Sequence, residues 1–192
     1  MATPAAVQAP DSRQRFIDAA VRLFIRHSFA GTSLQMIAEE VGVTKSAVHH
    51  HFRTREDLLT AVVTPLISQF RGTIEAAEAH RSRPARAEHL LAGFVDIVVR
   101  NRSVVAILAG DPGVIEMLRA HPELPDLINR QNKLITDLEP GPGGQVKAAV
   151  VFAGIAGAVR PNRLDLDETA LRQHLLDAAR RTLGLRTPPR PR

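Results

Sequence analysis

The sequence predicts an all-α protein, on three observations. Apolar residues recur at helical spacing from Arg13 to Leu183, no stretch alternates with period two for long enough to make a sheet, and proline and glycine clusters punctuate the segments. With 44% hydrophobic and 23% charged residues, the 192-residue chain has the apolar mass for a real core, which excludes collagen and wholesale disorder.

The elements follow in order. Arg13–His27 gathers Phe16, Ile17, Ala20, Leu23 and Phe24 on one broad face. Ser33–Val41 and Lys45–Phe52 are short helices around Gly42, the first with Thr32 and Gln35 at capping-box spacing. Arg55 to about Ala79 opens on the same spacing in Thr54 and Asp57; inside it, Pro65 removes the bond back to Ala61 and predicts a kink or break. Ala85–Arg100 and Ser103–Ala109 come next. Pro112–Ala120 starts on Asp111, a cap followed by proline where a missing N–H costs nothing, and Pro125–Leu138 follows it. Glu139–Gly144 (EPGPGG) is the strongest breaker and sets apart a last pair, Gln145–Val159 and Glu168–Leu183.

Charge and cysteine narrow the function classes. The net charge of +5 resides in the last 13 residues, where Arg180, Arg181, Arg186, Arg190 and Arg192 stand without an acid, so global basicity carries little information about partners. The absence of cysteine rules out disulfides, thiolate metal sites and a cysteine nucleophile, and suits the cytoplasm. Residues 1–10 have no positive segment or apolar core of a secretory signal, and the longest uncharged apolar stretch, Ala148–Val159, is far short of the ~20 residues a span needs, so no membrane partner is expected.

The informative segment is Leu34–Arg53 (LQMIAEEVGVTKSAVHHHFR). A helix-turn-helix needs a small residue where its helices touch, a turn residue that tolerates positive φ, and a branched apolar residue that holds the second helix down. Ala38, Gly42 and Val48 supply these, with Ile37, Val41 and Val43 completing the buried face and Lys45, Ser46, Ala47, His49 and His50 pointing outward. Phe29-Ala30-Gly31-Thr32 precedes the motif, and Phe52-Arg53-Thr54-Arg55-Glu56-Asp57-Leu58-Leu59 follows it.

With these flanks, residues 13–60 resemble the TetR family of transcriptional regulators. The resemblance implies an N-terminal three-helix helix-turn-helix DNA-binding domain at 12–56, after a disordered arm at 1–11. A C-terminal helical ligand-binding and dimerisation domain at 57–185 and a basic flexible tail at 186–192 complete the expected plan. Lys45, Ser46, Ala47 and His50 would lie against base edges of a double-stranded DNA operator, while Thr32, Ser33, Thr44, His49 and Arg55 would hold phosphates. His49 stands where the family usually has tyrosine; because imidazole gains charge as pH falls, operator binding is expected to tighten below neutrality. Arg55 replaces the usual lysine and keeps the charge. The arm has no Lys or Arg before Arg13 with which to enter a minor groove.

One short recognition helix reads few bases, so a twofold homodimer on a palindromic operator is expected. Gln145–Val159, apolar all round and rich in small residues, suits either a buried core or an interface; the interface reading takes Ala149, Phe152, Ala153, Ala156 and Gly157 with Leu171, Leu175 and Ala178 of the last helix. A small apolar or amphipathic effector would sit among Phe70, Leu90, Leu91, Phe94, Ile97, Val98, Ile107, Leu108, Ile115, Met117 and Leu118, although each taken singly suits ordinary core better. His89, Asp96, Arg100 and Asn101 would orient a polar end or face water.

Against an enzyme, the chain has no P-loop, G-x-S-x-G, dinucleotide glycine pattern or H-E-x-x-H, and it calls for no cofactor or catalytic residue. No metal site is expected either. His49, His50 and His51 point about 100° apart in succession on a helix, and no other histidine pair has i, i+4 spacing. A purely structural helical protein would leave Lys45, Ser46 and His50 without a purpose.

Overall fold

A computed structural model describes residues 12–159 and 164–186, so the expected arm at 1–11 and nearly all of the expected tail lie outside the described residues. The described residues form ten α-helices and no strand: α1 (Ser12–His27), α2 (Leu34–Val41), α3 (Lys45–His51), α4 (Arg55–Glu78), α5 (Arg83–Arg100), α6 (Arg102–Gly110), α7 (Pro112–Arg119), α8 (Leu124–Thr136), α9 (Pro142–Ala158) and α10 (Glu168–Leu183). They divide into two compact units, one ending at Val63 and the other beginning at Thr64.

Local chemistry explains most helix ends. Asp57 accepts from the backbone N–H groups of Arg53 and Thr54 at 3.0 Å while its own N–H donates to Thr54 Oγ1, so the reciprocal cap expected at α4 is present. Asp111 accepts from Gly113 and Val114 at the start of α7, and Asp167 from Ala170 at the start of α10. At α2 the cap is Ser33, whose Oγ accepts from Met36 N–H, and not Thr32; Gln35 instead donates to Glu39 one turn on. Two further expectations need correction. Of the kink or break expected at Pro65 the break is absent, since α4 runs through that residue. The helix α9 absorbs the end of the EPGPGG loop, because proline fits the first turn, whose N–H groups have no intrahelical partner.

In the first unit, Phe16, Ala19, Ala20, Leu23 and Phe24 of α1 are buried with Ile37, Ala38, Val48, Phe52, Leu58 and Leu59. Three contacts fasten α1 to α2: Arg22 Nε reaches Glu40 at 3.0 Å, Arg26 lies 3.8 Å from the same carboxylate, and Arg15 donates to the Val41 carbonyl.

The second unit is built on α5, which buries Ala87, Leu90, Leu91, Val95, Ile97, Val98 and Val99 and packs against α6, α8, α9 and α10. Paired charges tie its helices together. Arg180 of α10 donates to both Glu88 oxygens of α5, a hydrogen bond that raises its pKa above the ordinary arginine value. Arg172 lies 2.6 Å from Asp96, and Arg130 grips Glu78 through two N–H groups at 2.7 and 3.0 Å.

Candidate nucleic-acid interface

The α2–α3 turn is set by Gly42, the C-cap of α2, at φ 77° and ψ 38°. Gly42 N–H donates to Glu39 O at 3.2 Å and Val43 N–H to Ala38 O at 2.9 Å, a paired closure that satisfies the last α2 carbonyls and turns the chain into α3. Ala38 and Val48 are completely buried where the helices meet. Val43 departs from expectation, being exposed on the outside of the turn, and Val41 is half-buried.

This packing leaves one face of α3 outward, with Lys45, Ser46, His49 and His50 exposed and Ala47 half-buried. Thr44 caps α3 by accepting from Ala47 N–H, and Ser33 does the same for α2; each hydroxyl keeps a proton to donate to a phosphate oxygen. His51 is exposed as well, its ring 5.5 Å from that of Phe16, and the His50 ring stands edge-on to it at 5.4 Å.

Two expected phosphate contacts are otherwise committed. Thr32 is 2% exposed, its hydroxyl donates to Ser28 O and its N–H to Phe29 O, so it fastens the turn after α1 and has no free donor for DNA. Arg55 donates through Nη1 to the Ala30 carbonyl at 2.8 Å, bonds Glu56 through Nε and lies over the Phe29 ring at 4.8 Å. Its leading role is therefore to clamp the loop ahead of α2. Sequence reasoning also missed Arg13, whose guanidinium covers the Phe52 ring at 5.1 Å; the pair is too far apart in sequence for periodicity to expose it.

In the second unit, an open cavity of about 440 Å³ lies between α6, α7 and α8, lined by Leu108, Ile115, Leu118, Arg119, Leu124, Pro125, Ile128 and Asn129. Of the expected effector residues, Leu108, Ile115 and Leu118 reach it. Leu91, Val98 and Ile107 are buried core, Met117 is half-buried outside the lining, and Phe70 and Phe94 stack edge-on in a row with Phe152. The omitted Leu124 and Ile128 stand at i, i+4 on α8, a spacing that could have found them. A polar groove of about 350 Å³ between α4 and α5 collects Gln69, Gly72, Thr73, Ala76, Gly93 and Ile97 with the expected His89, Asp96 and Arg100; Asn101 lies outside that lining.

On α9, Ala149 and Ala153 are exposed and Phe152, Ala156 and Gly157 half-buried. Two residues not anticipated, Val146 and Val150, are 62% and 57% exposed and complete an apolar row with Ala149 and Ala153. Leu171 and Leu175, expected at the interface, are buried within the chain because the apolar stripe of α10 packs on α5; Ala178 is half-buried.

Residues 16–62 match the model of bacterial regulatory proteins, tetR family. The HTH-type transcriptional regulator SrpR of Pseudomonas putida is 40% identical over 63 residues, covering 33% of this chain and 30% of SrpR. The HTH-type transcriptional repressor AcnR of Corynebacterium diphtheriae is 26% identical over 125 residues, covering 58% of this chain and 66% of AcnR. The first curated relatives are thus matched over less than half their length. The fold is shared with the ketosteroid transcriptional regulator KstR2 of Mycobacterium tuberculosis, at a TM-score of 0.73, 16% identity and coverage of 92% of this chain and 95% of KstR2. These relatives are transcriptional regulators. No helix among the described residues is long and apolar enough to cross a membrane.

Proposed function

We propose that this chain, whose residues 16–62 match the tetR family of bacterial regulatory proteins, is a sequence-specific DNA-binding repressor that acts in the cytoplasm on a palindromic operator as a homodimer. The observation that carries the reading is the outward face of α3, held by a left-handed Gly42 turn and by buried Ala38 and Val48. Lys45, Ser46, Ala47 and His50 read base edges in the major groove; a lysine there donates to guanine O6 or N7, and the alanine methyl meets a thymine methyl. Ser33, Thr44 and His49 hold phosphates and set the register.

The exposed row of Val146, Ala149, Val150 and Ala153 is the dimer contact, continued by Phe152, Ala156 and Gly157. Twofold pairing of this row duplicates the recognition helix and accounts for the palindrome. A small apolar or amphipathic effector occupies the cavity between α6, α7 and α8 and draws the population away from the DNA-competent conformation. The aliphatic lining supports an apolar ligand body, with Arg119 and Asn129 available to a polar end.

Selection of bound duplexes from a random pool, at fixed and stated salt, tests the reading. Enrichment of an inverted repeat is the expected result. Salt-sensitive binding without enrichment would overturn it.

A further inference from the structure

The turn between α4 and α5 brings together two histidines that lie nine residues apart. The Nε2 atom of His80 and the Nδ1 atom of His89 are 3.2 Å apart. Their ring centroids are 4.9 Å apart, with the planes tilted by 44°. Two imidazoles meeting head-on in a hydrogen bond of that length would hold their ring centres about 5.5 Å apart. The shorter separation means that at least one ring is tilted off the line joining the two nitrogens. Imidazoles converging on one tetrahedral ion at ~2.0–2.1 Å place their nitrogens about 3.2–3.4 Å apart and their ring centres about 5 Å apart. Both separations in this pair agree with that geometry.

The backbone under the pair is fixed. His80 N–H donates to Ala77 O at 3.1 Å, and its carbonyl accepts from Arg86 Nε at 2.7 Å, which fastens the turn to α5. Ser82 caps α5 just beyond, and His89 projects from that helix at the edge of the polar α4–α5 groove. Both side chains are exposed, so a solvated cation can approach and keep water as its remaining ligands. No group of three or more His, Asp or Glu side chains suited to a metal occurs among the described residues, so the protein's share of the site is these two imidazoles.

We propose that His80 and His89 chelate one divalent transition cation of the zinc class, a site independent of the DNA-binding reading. Imidazole favours zinc, copper and nickel over magnesium or calcium. The nitrogen separation is nearer a tetrahedral bite than the ~2.9 Å of a right-angled one, which favours zinc. The bound ion would staple the turn to the second turn of α5. The expectation of no metal site rested on i, i+4 spacing within one helix, and this pair forms only because the chain doubles back at residues 79–82.

The test is titration of the full-length, chelator-treated protein with Zn²⁺ in a non-coordinating buffer near pH 7.5, followed by calorimetry. His80→Ala and His89→Ala should each remove one zinc per chain, the double variant should remove no more than either single one, and His174→Ala should remove none. Zinc held by other histidines stays constant across the series. In parallel, imidazole ¹⁵N spectra should show Zn²⁺ moving His80 Nε2 and His89 Nδ1. Stoichiometry unchanged in either single variant, absence of saturable binding, or spectral shifts confined to His49, His50 and His51 would overturn the proposal.

Discussion

Replacing Gly42 by alanine isolates the conformational term that holds the helix-turn-helix. At φ 77° the residue occupies the left-handed region, where an L side chain costs about 1–2 kcal/mol. An added Cβ would meet nothing within 4 Å, so no steric cost adds to that figure, and both hydrogen bonds of the turn can persist. The expected loss for Gly42→Ala is therefore about 1–2 kcal/mol. Asparagine visits this region more readily, so Gly42→Asn should lose less. Gly72 is the control of opposite sign. It lies inside α4 with open space around its Cβ position and no positive φ, and Gly72→Ala should gain roughly 0.5–1 kcal/mol from helix propensity. Urea unfolding followed by circular dichroism measures all three through midpoint shifts at constant m. Gly42→Ala as stable as the parent, or Gly42→Asn no better than alanine, would refute the reasoning. A loss well above ~3 kcal/mol would point to packing and not to the dihedral.

Four further outcomes are expected. Lys45→Ala combined with His50→Ala should leave the melting temperature unchanged, since both side chains are exposed, while operator affinity in a gel-shift assay falls by roughly tenfold or more for each hydrogen bond to a base that the substitutions remove. Val150→Asp places a charge in the middle of the exposed α9 row and should convert dimer to monomer in sedimentation velocity. Hydrogen bonding from Arg130 holds the Glu78 carboxyl below the ordinary glutamate pKa. Its stabilising effect is complete above the unfolded-state value and is lost as pH falls through the lowered one, so the stability gap between the parent and Glu78→Gln should close in acid and stay constant above about pH 6. His49→Ala should weaken operator binding while leaving the fold intact, since the side chain is exposed, measured by fluorescence anisotropy at constant salt.

What could be read in advance was local. Ala38, Gly42 and Val48 lie within one supersecondary unit, and the Asp57 and Asp111 caps act within four residues, so spacing alone exposes their geometry. Errors arose where a choice among neighbours depended on tertiary packing. Thr32 and Ser33 are both good capping residues, and only the burial of Thr32 against the turn after α1 decides between them. The α10 stripe was legible as a stripe, but not which surface it meets; α5 takes Leu171 and Leu175, leaving the outward apolar row to α9. The cavity failed for the same reason. A buried leucine and a cavity leucine look alike in sequence, and the difference between Leu91 and Leu108 is how much space the neighbouring helices leave.

The pairing of α5 with α10 also governs the order in which the molecule can be completed during synthesis. Glu88 and Arg180, which join these helices, are 92 residues apart, so a ribosome working at ~5–20 residues per second delivers the second partner roughly 5–20 s after the first. The residues that close the first unit all precede Thr64 and emerge well before that interval ends. The nascent chain therefore carries every residue of the first unit before the face of α5 that meets α10 can be closed. A chain truncated before α10 would leave that face of α5, and Glu88 on it, without its partner helix.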